Sequence, residues 1–255
     1  NGEILGISFK ADYTVTFQAE KIGHVIYPGK DYCGEIITKD IGISEIYFEN
    51  NLDVAVIYDK EDYKKLLPIR TENSHKGTYG KLLVIAGCKG MSGAAYMNAL
   101  SAYMSGAGVV QIYTSEDNRI ILQSLLPEAI ITTYENFDEK QLLQLIQWSD
   151  AICIGSGLGL SEVSRKILKT VIFESDVPCV IDADGLNILG EHLWYLDKRK
   201  HNQFILTPHM KEMSRMTGLD ISAIRNGRLK ILKEFTDKYD ITCVLKDART
   251  CIPCN

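Results

Sequence analysis

The stretch His75–Tyr113 reads HKGTYGKLLVIAGCKGMSGAAYMNALSAYMSGAGVVQIY, and it sets the kind of fold the chain adopts. Within it, Leu82–Ala86 is a continuous apolar run bounded by Gly80 and Gly87, the pattern of a buried strand. Gly93 to Met104 has the length of a helix, and Gly106 and Gly108 end it. Val109–Tyr113 is a second, β-branched run. Strand, loop, helix and strand in this order are the building block of a parallel sheet. The loop, Cys88–Ala95 (CKGMSGAA), follows the first strand, and open α/β sheets bind ligands at the carboxyl ends of their strands.

Outward from this unit the alternation continues. A helix near 116–124 is expected to be capped by Ser115, with Glu116 and Asp117 in its first turn. A strand at 129–133 and a helix at 138–148 follow, the helix burying Leu142, Leu145 and Ile146. Next come strand 151–154, helix 161–174 starting at Ser161, and strand 178–182. A helix opens at Asp184, a strand covers 203–206, and His209 opens a helix after Pro208. Helix 221–239 turns Ile224, Ile231, Leu232 and Phe235 inward, and strand 241–246 follows. So many alternations predict an α/β fold, a mostly parallel sheet covered by helices on both faces, with the strand-end loops on one edge.

The first 73 residues read differently. Tyr13–Phe17 and Gly34–Thr38 look like strands around a turn at Tyr27–Asp31. Residues 1–43 cannot close a core of their own and resemble the end of a domain. Residues 44–73 read as a linker, with a strand at Val54–Ile57 and a charged helical turn at Asp59–Lys65.

Composition narrows the function. The net charge of −5 argues against nucleic acid or an anionic membrane as a partner. No apolar run approaches the roughly 18–20 residues of a membrane span, and the first residues, NGEILGISFKAD, are not a signal peptide. Seven cysteines, an odd count with Cys153, Cys179 and Cys243 inside apolar runs, point to buried thiols and a cytoplasmic protein. The lone Cys251-Ile-Pro-Cys254 has no second ligand pair, which favours plain cysteines over a metal or redox site.

Five loops carry the chemistry: 88–95, GSGLG at 155–159, DADGLN at 182–187, TPHMKE at 207–212 and KDART at 246–250. Gly155–Gly159 is either a tight turn or a place where backbone approaches a ligand. Asp182 ends a buried strand and needs a partner, whereas helix capping suffices for Asp184. His209 reads equally as a structural hydrogen-bonder or a site residue. His75-Lys-Gly77 is either a solvated lead-in or a flap over the site.

Taken in order, HKGTYGKLLVIAG, MSGAA, SGAG, IGSGLG, DADGLN, LTPHMKE and LKDART resemble the NAD(P)H-hydrate dehydratase family of the ribokinase-like superfamily, from about Ser74 to Ile252. The resemblance implies a dehydratase domain over 74–255 that is incomplete at its C-terminus. Its expected catalytic aspartate, in a G-x-G-D stretch, falls beyond Asn255. It implies a reaction in which ADP, or ATP, with Mg²⁺ phosphorylates the hydroxyl of NAD(P)H hydrate; phosphate then leaves and NAD(P)H is restored. It places Gly93, Ala94, Ala95, Gly157, Asp182 and His209 at the hydrate, and Lys246, Asp247, Ala248, Arg249 and Thr250 at the nucleotide. Residues 1–43 in turn resemble the last strands of the Rossmann-like NAD(P)H-hydrate epimerase domain, with Thr16 where that family supplies a ligand to K⁺ and Lys21 in the same motif. A homo-oligomer is also implied. Four departures from the usual motifs stand out: Ser156 for proline, Gly185 for alanine, Met210-Lys211 for Pro-Gly, and Asp247 for glycine. Gly185 is expected to loosen its helix start, and Asp247 to place negative charge where phosphates approach. The alternatives are a ribokinase-like kinase of the hydroxymethylpyrimidine or thiazole type, and a nucleotide-binding fragment without turnover.

Overall fold

The computed structural model describes residues 2, 4, 6–44, 46–49 and 54–253. The chain divides into two compact units, Asn1–Asn73 and Ser74–Asn255.

The first unit holds β1 (Tyr13–Phe17), α1 (Ile22–Val25), β2 (Glu35–Lys39), α2 (Ile46–Glu49) and α3 (Lys60–Leu66). β1 and β2 pair in parallel, Tyr13 opposite Glu35. Alternation along β1 buries Thr16 but leaves Val15 56% and Phe17 58% exposed, so one apolar sheet face is uncovered. Asp59 starts α3 by accepting from the N–H groups of Glu61 at 2.8 Å and Asp62 at 3.0 Å. Val54–Ile57, expected as a strand, has no regular structure. Val56 and Ile57 are more than half exposed there, and an apolar run makes a strand only where a neighbour pairs with it.

The second unit is the expected alternation. Its elements are β3 (Lys81–Ile85), α4 (Ser92–Ser105), β4 (Val109–Ser115), α5 (Arg119–Leu125), β5 (Ile130–Tyr134), α6 (Glu139–Trp148) and β6 (Ala151–Ile154). They continue with α7 (Glu162–Glu174), β7 (Cys179–Ile181), α8 (Asp184–Glu191), β8 (Phe204–Leu206), α9 (Met210–Thr217), α10 (Ile221–Asn226), α11 (Arg228–Tyr239) and β9 (Thr242–Cys243). The strands form one parallel sheet in the order β5-β4-β3-β6-β7-β8-β9. Leu83 and Val84 are adjacent and both fully buried, on opposite faces and in separate apolar clusters. α4 and α5 supply one cluster; α6 to α11 supply the other. The chain winds outward from β3 to β5, returns to β6 beside β3, and winds outward again to β9. The strand order therefore reverses between β3 and β6, the switch point at whose carboxyl edge open α/β sheets commonly bind ligands.

Three local expectations need correction. Ser115 does not cap a backbone group; its hydroxyl donates to Asp117 at 3.1 Å, and a 3₁₀ turn precedes α5. The helix expected at 221–239 breaks at Gly227 into α10 and α11, at the residue with the least backbone preference for a helix. The strand expected at 241–246 pairs regularly only over Thr242–Cys243. Beyond it the chain turns back, and Leu245 and Cys251 exchange antiparallel hydrogen bonds of 3.0 and 3.1 Å. Lys246–Thr250 is thereby the tip of a small hairpin.

Candidate functional site

The site is built from the loops that follow β3, β6, β7, β8 and β9. The loop after β3 and the loop after β6 are stitched by backbone: Gly87 N–H donates to Ser156 O at 3.1 Å, and Cys88 N–H to Gly157 O at 2.6 Å. Gly157 lies so close to the start of α4 that a Cβ there would stand 2.8 Å from the Cβ of Ala94, with φ already at +59°. Gly157 and Ala94 therefore pack directly against each other. Gly93 faces open space beside them. Ala95 does not join them: it is fully buried in the core with Ala99, one helical turn further on, and its methyl group abuts Gly87.

Asp182 has the partner it needs. Its Oδ1 accepts from Lys246 Nζ at 2.7 Å and from Thr207 Oγ1 at 2.8 Å. Burial pushes the Asp182 carboxyl up, but the bonds from Lys246 and Thr207 outweigh it and hold the group below the usual carboxylate range. The turn after Asp182 is tight, with Ala183 at φ +49°. That turn sends Asp184 the other way, and it does not serve as a cap. Its carboxylate accepts from Gly159 N–H at 2.8 Å, pinning the far end of the GSGLG loop. Gly185 tightens the same junction. A Cβ there would stand 2.9 Å from Ile181 Cγ2 and 3.2 Å from Gly155 Cα, so the departure from alanine allows a close approach and does not loosen the helix.

His209 caps α9. Its Nδ1 accepts from the N–H groups of Lys211 and Glu212, each at 3.1 Å, and Glu212 returns a bond to His209 N–H at 2.8 Å. With Nδ1 an acceptor, the ring proton of neutral His209 is assigned to Nε2, which lies 3.4 Å from Glu212 Oε1. His209 also pairs in parallel with Lys246, whose N–H donates to Pro208 O at 2.8 Å. The structure thus gathers Asp182, His209 and Lys246 into one group, and Ala94 and Gly157 into another.

In the hairpin tip, Ala248, Arg249 and Thr250 are exposed. Asp247 is not turned loose on them. Its Oδ2 lies 2.5 Å from Nη2 of Arg228, a guanidinium 1% exposed. His75-Lys-Gly77 is a lead-in, since its turn packs against Gly108 at the amino end of β4, away from the carboxyl edge.

Several supporting residues lay outside the sequence reading. Asn118, buried, donates to Gly87 O at 3.0 Å and Thr114 Oγ1 at 2.9 Å, while Thr114 Oγ1 donates to Gly87 O at 2.7 Å. Asn98 ties Cys153 to α4, accepting from its Sγ at 3.2 Å and donating to Ala94 O at 2.9 Å. Burial pushes the Cys153 thiol up to about 11. Cys33, Cys88, Cys153, Cys179, Cys243 and Cys251 are free thiols, and Cys254 lies outside the described residues. Among the described residues no cluster of three or more His, Cys, Asp or Glu could hold a metal. In the first unit, Thr16 Oγ1 donates to Ala19 O at 3.2 Å. Lys21 Nζ donates to Phe17 O at 2.8 Å and Ala19 O at 2.9 Å, so an ammonium already engages oxygens of the kind K⁺ takes.

Among solved structures, a ribokinase-like superfamily protein of Enterococcus faecalis superposes with a TM-score of 0.66 at 25% identity, over 78% of this chain and 71% of that one. The second unit is a ribokinase-like α/β domain. The ADP/ATP-dependent NAD(P)H-hydrate dehydratase of Bacillus subtilis, co-crystallised with ATP and Mg²⁺, gives 0.63 at 32% identity, over 76% of this chain and 67% of that one. The family model for NAD(P)H-hydrate dehydratase matches residues 82–254, and the chain belongs to that family. Similar proteins include the bifunctional NAD(P)H-hydrate repair enzymes Nnr of Coxiella burnetii, 35% identical over 99% of this chain, and of Escherichia coli, 31% identical over 98%. The chain spans 50% and 47% of those two, about half the length of the curated relatives it matches.

Proposed function

We propose that this chain supplies the hydrate- and nucleotide-binding part of an enzyme that dehydrates NAD(P)H hydrate at the expense of ADP or ATP, restoring the reduced cofactor. The observation that carries this reading is the convergence of Asp182, His209 and Lys246 at the carboxyl edge of the sheet, with Lys246 bonded to Asp182 and paired with His209. The Ala94–Gly157 contact is backbone and methyl, which suits a flat ring approaching closely. Lys246 is partly exposed, so its ammonium can meet phosphate oxygens while Asp182 and Thr207 keep it aimed. With no cluster of protein ligands among the described residues, Mg²⁺ would come held by nucleotide phosphates and water, as it commonly does. Bound there, it would neutralise phosphate charge. Hydroxide leaves poorly and phosphate well, which is the chemical sense of phosphorylating the hydrate first.

The first unit fits, in this reading, the last strands of an epimerase domain, with 44–73 as linker. Its uncovered Val15 and Phe17 need further chain or a partner to bury them. Thr16 is the candidate K⁺ ligand, competing with Lys21 for the neighbouring carbonyls. A homo-oligomer and a cytoplasmic setting complete the proposal; free thiols and the lack of a helix long and apolar enough to cross a membrane among the described residues accord with the latter. The test is incubation of the whole protein with hydrated NADH, Mg²⁺ and either ADP or ATP. Return of the near-ultraviolet absorbance of reduced nicotinamide is expected; no return with either nucleotide refutes the reading.

A further inference from the structure

Arg228 is the largest fully buried side chain among the described residues, and it is a cation. It opens α11 on the inward face, one turn from Ile224 and one from Leu232. Its Nη2 meets Asp247 Oδ2 at 2.5 Å and its Nη1 donates to Arg249 O at 3.3 Å, while its Nε has no partner. A buried arginine is costly unless paired. Here both partners belong to the Lys246–Thr250 tip. The guanidinium therefore grips that tip from beneath at two points, with the hairpin closed by Leu245 and Cys251.

We infer that Arg228 is a positioning residue for the phosphate-facing tip: it draws the Asp247 carboxylate inward and leaves Lys246 to meet the nucleotide. The inference rests on the nucleotide reading of residues 246–250. It explains how a carboxylate is tolerated where the family resemblance expects glycine. Pulled down onto Arg228, Asp247 has its charge neutralised and its side chain off the approach path. Released, the same carboxylate would face a phosphate of like charge, and at a partly solvated surface that repulsion weakens binding about tenfold. The planar fork matters as well as the charge, because one group must reach a carboxylate and a carbonyl together.

The experiment is ADP titration by calorimetry on the whole protein, comparing wild type with Arg228→Met, Arg228→Lys and the double variant Arg228→Met/Asp247→Gly. Arg228→Met is expected to raise the Kd about tenfold at low salt, with the gap shrinking as salt screens it. The double variant should return to within about threefold of wild type, because the freed carboxylate is gone. Arg228→Lys, which keeps the charge without the fork, should fall between. Amide hydrogen exchange of residues 246–250, measured without nucleotide, should quicken in Arg228→Met while the exchange of β3 and β6 stays unchanged. A purely structural role predicts that the double variant binds no better than Arg228→Met, and that result overturns the inference, as does wild-type affinity in Arg228→Met. Should wild type bind no ADP, the nucleotide reading fails separately, and unchanged exchange at the tip would then overturn the grip itself.

Discussion

Replacing Asp182 by Asn removes a charge while keeping the side chain's shape, and the structure sets the size of the effect. The amide oxygen can still accept from Thr207, so what is lost is the charge-assisted bond from Lys246, 2.7 Å long. Such bonds contribute about 1.5–3 kcal/mol when shielded from water. Lys246 is 42% and Asp182 30% exposed, so screening lowers this to about 1–2 kcal/mol. For a unit of this size that is a fall in Tm of about 2–8 °C. The pH dependence has a definite sign. Unfolded, Asp182 titrates near 3.8; folded, it titrates lower, because the Lys246 and Thr207 bonds outweigh burial. Its contribution is therefore complete above the unfolded value and lost as pH falls through the folded one. Thermal unfolding followed by circular dichroism at low salt, from neutral pH into acid, should show a constant gap between wild type and Asp182→Asn that closes below about pH 3.8. A variant that melts with wild type at neutral pH, or a gap that persists undiminished in acid, would refute this account.

Two further perturbations are simple to read. Gly185→Ala would set a methyl 2.9 Å from Ile181 Cγ2 and 3.2 Å from Gly155 Cα. Overpacking of that kind costs about 1–3 kcal/mol and exceeds the gain of up to about 1 kcal/mol from helix propensity, so urea unfolding should show a net loss; a more stable variant sinks the claim. Cys179 and Cys243 are fully buried, and burial pushes both thiols up to about 12. In mass-spectrometric labelling with a thiol reagent at mildly alkaline pH, the partly exposed Cys33, Cys88 and Cys251 should react first and these two only when the protein unfolds; earlier labelling of either contradicts their placement.

The sheet was legible because strands buried on both faces announce themselves. Leu82–Ala86 and Ala151–Ile154 are apolar without interruption and bounded by turn residues or Gly, and each lies at or within one residue of an observed strand. Val54–Ile57 has the same local character and forms no strand, since pairing depends on a neighbour that four residues cannot specify. The candidate site was legible as loops but not as contacts. Asp182 advertised its need for a partner by ending a buried strand, yet nothing local named Lys246, 64 residues away. Asp184 looked like a cap because the bond it makes instead, to Gly159, depends on two loops meeting. Arg228 drew no notice in the sequence. The signal was present all the same: it stands four residues from both Ile224 and Leu232, on the stripe that packs inward.

The strand order also has a consequence for how the chain acquires its shape. During synthesis every strand of the second unit settles beside the one made just before it, except β6, which must return to β3 and set Ala151 against Leu82. That closure spans the whole excursion through α4, β4, α5, β5 and α6, and it is the expensive one in chain entropy. The strands β3, β4 and β5 possess their own apolar cluster and can consolidate before β6 leaves the ribosome. The carboxyl edge of β3 and β6 lies on the seam where this early half meets the later one. A molecule lodged there would act as a rivet across the costliest joint in the assembly, so that occupancy of the seam and upkeep of the fold become one quantity.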